Sequence, residues 1–106
     1  MDYLWKDIKI EGIARIEKCV AEFNIWELNL TPWAKFKIKI YEDTNGMFYG
    51  FTNLQLKSQF GQEGGVGQGS TIEQALQDTI KNFLKMLRER DQLTPEDFET
   101  VDPYDF

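Results

Sequence analysis

The sequence predicts an α+β fold: a three- or four-stranded, mainly antiparallel sheet covered by a C-terminal helix. Three observations predict it: strict alternation over residues 35–40, an Asn45-Gly46 turn leading into a second β-rich run, and a capped amphipathic segment over residues 71–90. In Lys35-Phe36-Lys37-Ile38-Lys39-Ile40 the period of two sends three ammonium groups to one face and three apolar side chains to the other. One face is wet and one is buried.

The second strand runs from Met47 to Leu56, rich in aromatic residues and containing Thr52. A two-residue Asn45-Gly46 loop would pair Ile38 with Asn53 and Phe36 with Gln55, mixing apolar and amide side chains on one face. A three-residue Thr44-Asn45-Gly46 loop, with Gly46 left-handed, instead pairs Ile38 with Thr52 and Phe36 with Leu54, and sets Lys37 opposite Asn53. The bulged hairpin is the expected form.

Ser70 and Glu73 have the spacing of a capping box, so the helix is expected to begin at Thr71. Ile72, Leu76, Ile80, Phe83 and Leu87, flanked by Ala75, Thr79 and Leu84, form a broad apolar stripe suited to covering a sheet. Glu73 and Asp78 near the start and Lys81, Lys85, Arg88 and Arg90 near the end complement the helix dipole.

Upstream, Trp26, Leu28 and Leu30 alternate with Glu27 and Asn29, predicting a third strand over residues 25–30 that Thr31-Pro32 ends. Residues 11–23 fit helix or strand; Ile13, Ile16, Val20 and Phe23 share a helical face, and helix is the preferred reading. The opening stretch, with Trp5, Ile8 and Ile10, reads as a short strand or an ordered arm. It has the apolar run of neither a signal peptide nor a membrane helix, so a cytoplasmic location without membrane association is expected.

With 106 residues, 42% hydrophobic content and 15 aromatic side chains, the chain can bury one core without staples. The formal net charge is −6. Residues 91–106 hold six of the 18 acidic residues and none of the 12 basic ones, so residues 1–90 are formally neutral. The expected organisation is therefore one α+β domain over 1–90 and an acidic tail over 91–106. Within the tail, Thr94-Pro95-Glu96-Asp97 has a cap residue, a proline at the first helical position and early carboxylates, so a short helix at 95–100 would dock Phe98 on the body.

Several chemistries lose their main residue. The chain has no histidine, which removes imidazole catalysis and ordinary zinc sites. Cys19 is the sole cysteine and reads as a small buried apolar residue. Glu42 and Asp43 read as solvated turn residues. No catalytic, metal or cofactor residue is assigned, and the expected protein is not an enzyme.

The glycine run from Gly61 to Gly69 sits between a strand and a helix, where phosphate-binding loops occur. No lysine follows the last glycine, and Gly65, Gly67 and Gly69 lack dinucleotide spacing, so a protruding loop is expected. Lys35, Lys37 and Lys39 would suit a phosphate backbone, with Tyr41 and Tyr49 nearby for stacking; solvated lysines on a sheet face or edge are the plainer reading.

The hairpin around the acidic Asn45-Gly46 turn and the run Gly67-Gln68-Gly69-Ser70-Thr71-Ile72-Glu73-Gln74-Ala75-Leu76 resemble the HicB family of antitoxins, over about residues 34–88. That family joins a strand to a G-x-T-x-x-E-A-type helix start on a partial ribonuclease-H-like or double-stranded-RNA-binding-like sheet. The proline-aspartate-leucine-proline-glycine-cysteine segment typical of the family is replaced here by Leu54 to Val66, and no DNA-binding motif follows the helix. The resemblance implies the scaffold and a role in binding a small basic RNA-cleaving toxin.

The expected function is thus non-enzymatic binding of a basic protein partner through Tyr41, Tyr49, Glu96, Asp97, Phe98, Glu99, Asp102, Tyr104 and Asp105. The alternatives are nucleic-acid binding through Lys35, Lys37 and Lys39, or an acidic inhibitor of phage type that mimics nucleic acid. Exposed sheet edges would also suit a homodimer.

Overall fold

The computed structural model describes residues 4–58, 61–90, 92–102, 104 and 106. Strands β1 (Lys18–Trp26), β2 (Lys35–Glu42), β3 (Phe48–Ser58) and β4 (Gly61–Gly69) form an antiparallel meander in that order. Helix α1 (Ile72–Arg88) packs on one face, and β5 (Phe98–Thr100) returns to pair with β3. The α+β architecture is as the sequence predicts, with one strand more than the upper count.

The β2–β3 hairpin takes the bulged register. Ile38 faces Thr52, Ile40 faces Gly50 and Tyr41 faces Tyr49. Asp43 N donates to Met47 O at 3.0 Å, enclosing the three-residue loop, and Gly46 has φ of 82°, a left-handed value that favours glycine. The Asp43 carboxylate accepts from Asn45 N and Met47 N, both at 2.9 Å, so it serves the turn. The predicted Phe36–Leu54 pair is absent from the ladder. β5 takes that edge of β3 instead, with Leu54 opposite Thr100, and Lys37 N donates to the Asn53 side chain at 2.7 Å.

The glycine run, expected as a loop, is strand β4. Gly65, Gly67 and Gly69 seat the helix. A Cβ on Gly67 would stand 2.3 Å from the backbone N of Thr79, and one on Gly65 would stand 2.6 Å from Phe83 Cβ. Gly67 faces Gly50 across the ladder, and both lie beneath Thr79. Close approach therefore places small residues at the contact. The buried line of α1 is Ala75, Thr79, Phe83 and Leu87, with the larger Ile72, Leu76, Ile80 and Leu84 half-buried beside it. The Thr52 hydroxyl accepts from Gly65 N at 2.7 Å and donates to Leu54 O at 2.9 Å, bracing the register shift between β3 and β4. The edge of β4 is also served from the helix, since Gln68 N donates to Asp78 at 2.9 Å and Asn82 donates to Val66 O at 2.8 Å.

The helix start differs by one residue from the expected capping box. Thr71 is the cap, accepting from Gln74 N at 3.1 Å, while Gln74 Oε1 accepts from Ser70 N at 3.0 Å. Threonine and glutamine at this spacing do the work expected of Ser70 and Glu73, and the helix ends at Arg88 rather than residue 90.

The helix preferred for residues 11–23 is not formed; its second half belongs to β1. Ala21, Phe23 and Ile25 point to the core while Glu22, Asn24 and Trp26 point away, and this alternation pairs residue by residue with β2. A bulge at Val20 turns it inward beside Ala21, which imitates helical spacing in the sequence. The strand expected at 25–30 ends at Trp26, because the Glu27 carboxylate accepts from Asn29 N and Leu30 N and closes a turn. Cys19, expected to be buried, is exposed on β1. The opening stretch is a short 3-10 helix, Leu4–Asp7, tied down by an ion pair between Lys6 and Glu42.

The C-terminal segment is part of the sheet. Thr94 and Asp97 form a capping box around a single 3-10 turn, Pro95–Asp97, and the expected helix at 95–100 gives way to β5. Phe98 is 5% exposed and joins Phe36, Ile38, Ile40, Leu54, Leu56, Phe83 and Leu87 in the core. Its ring completes the body.

Candidate functional site

Alternation in the meander gives the sheet a second face, turned away from α1. On β1 it presents Cys19, Glu22, Asn24 and Trp26; on β2, Lys35, Lys37, Lys39 and Tyr41. On β3 and β4 it presents Tyr49, Phe51, Val66 and Gln68. The three lysines thus share one face, as the sequence predicts.

Each lysine meets a group of this same chain. Lys35 Nζ lies 5.1 Å from the Trp26 ring centroid, Lys37 Nζ lies 3.8 Å from Glu22, and Lys39 Nζ lies 4.3 Å from the Phe106 ring centroid. Trp26 at the far end is 69% exposed.

The other end of the face has different chemistry. After β5, Val101 N donates to Asn53 O at 2.7 Å, and the Asp102 carboxylate accepts from Tyr104 N at 2.9 Å. The Tyr41 hydroxyl donates to the Phe106 carbonyl, fixing that residue over β2. Tyr41 also meets Phe51 edge to face at 5.9 Å. Glu17, Tyr41, Phe51, Tyr104 and Phe106 thereby line a recess of about 250 Å³. Burial, followed by the charges of Cys19, Glu17 and Glu22, raises the Tyr41 phenol above its ordinary pKa.

The expected binding residues separate on this map. Tyr41 and Tyr104 come together at the recess. Tyr49 lies on the same face but borders another hollow, with Val66 and Gln68 near the edge of β4. Glu96 is exposed and Glu99 half-buried, opposite Gln55. Asp97 is occupied within the chain: its carboxylate accepts from Thr94 N at 2.7 Å and from the Thr94 hydroxyl, and these bonds hold its pKa below the ordinary carboxylate value. Phe98 is in the core and is removed from the contact set. Asp105 lies outside the described residues.

Sequence reasoning missed Glu17, Glu22, Phe51 and Phe106. Reading residues 18–26 as a strand would have placed Glu22 opposite Lys39 and brought Glu17 toward Tyr41. Phe51 was available from the hairpin register alone.

No protein-family model, curated protein or solved structure matches this chain. No helix among the described residues is long and apolar enough to cross a membrane.

Proposed function

We propose that this chain is a non-enzymatic binding domain that engages a basic protein partner through the sheet face opposite α1, at the end bearing Tyr41. The observation that carries this reading is the convergence of Tyr41, Phe51, Tyr104 and Phe106 with Glu17 around one recess. An aromatic surface with a carboxylate beside it suits a cationic protein surface, and aromatic side chains supply much of the energy at protein interfaces. The HicB resemblance would make the partner a small RNA-cleaving toxin, an identity that rests on the resemblance alone.

The test is isolation of the tagged full chain at low salt, elution on a salt gradient, and identification of what co-purifies, repeated with two variants. Reversing Glu17 and Glu22 to lysine should abolish a complex with a basic protein, whereas Lys35, Lys37 and Lys39 changed together to glutamine should retain it. Deleting residues 91–106 would not serve, because it removes β5 and Phe98 from the core. The second reading, single-stranded nucleic acid on the lysine end, is favoured by exposed Trp26 beside Lys35. It predicts the reverse pattern: bound nucleic acid lost in the lysine-to-glutamine variant and strengthened when Glu17 and Glu22 are reversed to lysine.

A further inference from the structure

We propose that β1 is the self-association edge of this protein: a second copy pairs with it antiparallel over residues 22–26, about a two-fold axis at Asn24. This surface is separate from the recess at Tyr41, and the inference stands independently of the protein-binding reading above.

The ladder decides which backbone groups of β1 point outward. Lys37 N donates to the Asn53 side chain on β3, so the alternate residues Phe36, Ile38 and Ile40 turn their N–H and C=O groups to β1, opposite Ile25, Phe23 and Ala21. Glu27 N continues that series by donating to Ala34 O at 3.1 Å. The N–H and C=O groups of Glu22, Asn24 and Trp26 therefore face away from the sheet. No group among the described residues bonds to them. At the opposite edge Asp78 and Asn82 of α1 occupy Gln68 N and Val66 O. Past the bulge at Val20, residues 21–26 carry no lysine or proline, the usual guards of a bare edge.

This edge is complementary to itself in one register. An axis at Asn24 pairs Asn24 with Asn24 and Glu22 with Trp26 of the second copy, and uses every outward donor and acceptor of the three residues. An axis at Phe23 leaves Trp26 opposite the bulged Val20, and an axis at Glu22 sets two carboxylates face to face. With Asn24 central, Phe23 and Ile25, half-buried at the rim of the core, become close cross-strand neighbours and seal that rim. On the open face, Glu22 lies 3.8 Å from Lys37 of its own chain. It then also stands beside Trp26 of the second copy, a ring 69% exposed and covered by the Lys35 ammonium at 5.1 Å. A two-fold contact uses the same edge on both copies, so assembly stops at the dimer.

The test is sedimentation equilibrium of the full chain from micromolar to millimolar concentration, with amide hydrogen exchange followed at both ends of the range. The expected result is a monomer–dimer equilibrium in which the amides of Glu22, Asn24 and Trp26 gain protection with concentration. In Asn24→Asp the new carboxylate stands opposite Lys37 of its own chain, which keeps the fold, while two carboxylates meet across the axis. The dissociation constant should rise about 5-fold, the upper size of one cross-strand pair, and the rise should shrink in high salt. Asn24→Pro removes only an outward N–H and should leave a monomer, its fold checked by circular dichroism.

A chain that stays monomeric across the range would overturn the inference. So would a dimer whose Glu22, Asn24 and Trp26 amides exchange unprotected, or one that survives Asn24→Pro. Protection of those amides only in the presence of a co-purifying protein would give the edge to another chain and overturn it too.

Discussion

The two faces of strands β3 and β4 alternate along the same backbone and do opposite things. Beneath α1 lie Gly50, Thr52, Gly65 and Gly67, trimmed so that Thr79 and Phe83 can approach the strands. On the far side stand Tyr49, Phe51 and Val66, which are large, apolar or amphipathic, and open to contact. One face loses side-chain volume to seat a helix, and the other keeps volume that the body does not bury. Gly50, Gly65 and Gly67 mark where the helix comes close, and uncovered aromatic content marks the candidate docking surface.

The sharpest break in that comparison is on the covered face. Phe83→Ala removes a fully buried ring that meets Phe36 edge to face at 5.0 Å, and should cost about 3–5 kcal/mol by urea denaturation. Gly67→Ala sets a methyl against the backbone of Thr79 and should cost about 1–3 kcal/mol, whereas Val66→Ala, one residue along on the open face, should stay within about 0.5 kcal/mol. Equal effects at positions 66 and 67 would break the contrast.

Thr71→Ala removes the cap of α1 and should cost about 1 kcal/mol, read from the same denaturation curves. The smallest effect concerns Asp97. Its folded pKa is lowered, so its contribution is present above the unfolded value and is lost as pH falls through the folded one. The protection factor of the Phe98 amide, which is exchange relative to the intrinsic rate at each pH, should therefore fall on acidification, and Asp97→Asn should flatten that dependence.

Much of the fold was legible because the signals were local. The alternation of Lys35–Ile40 and the left-handed Gly46 set the hairpin and its register, and the apolar period placed α1 to within a turn. What failed needed tertiary contacts. The bulge at Val20 counterfeited a helical period, and the strand character of residues 61–69 comes from pairing with β3 and from the space required by Thr79. β5 was hidden because its pairing with β3 spans more than 40 residues of sequence.

The candidate site was legible in halves. Tyr41 and the acidic, aromatic end of the chain were visible, as was the lysine stripe, but their separation into an aromatic–acidic end and a lysine end required Glu17 and Glu22 to be placed by β1. Acidic residues of the C-terminal segment that looked like recognition elements turn out to shape the chain: Asp97 caps its turn and Asp102 directs Tyr104.

The most direct test of the open face is an amide NMR map of the isotopically labelled chain, titrated separately with a lysine-rich peptide and with a short oligothymidylate. The account predicts that the peptide perturbs Glu17, Tyr41, Phe51 and Phe106, leaves the outer face of α1 unmoved, and is displaced by salt. Perturbation confined to Lys35, Lys37 and Trp26 by the oligonucleotide, with no response to the peptide, would contradict it.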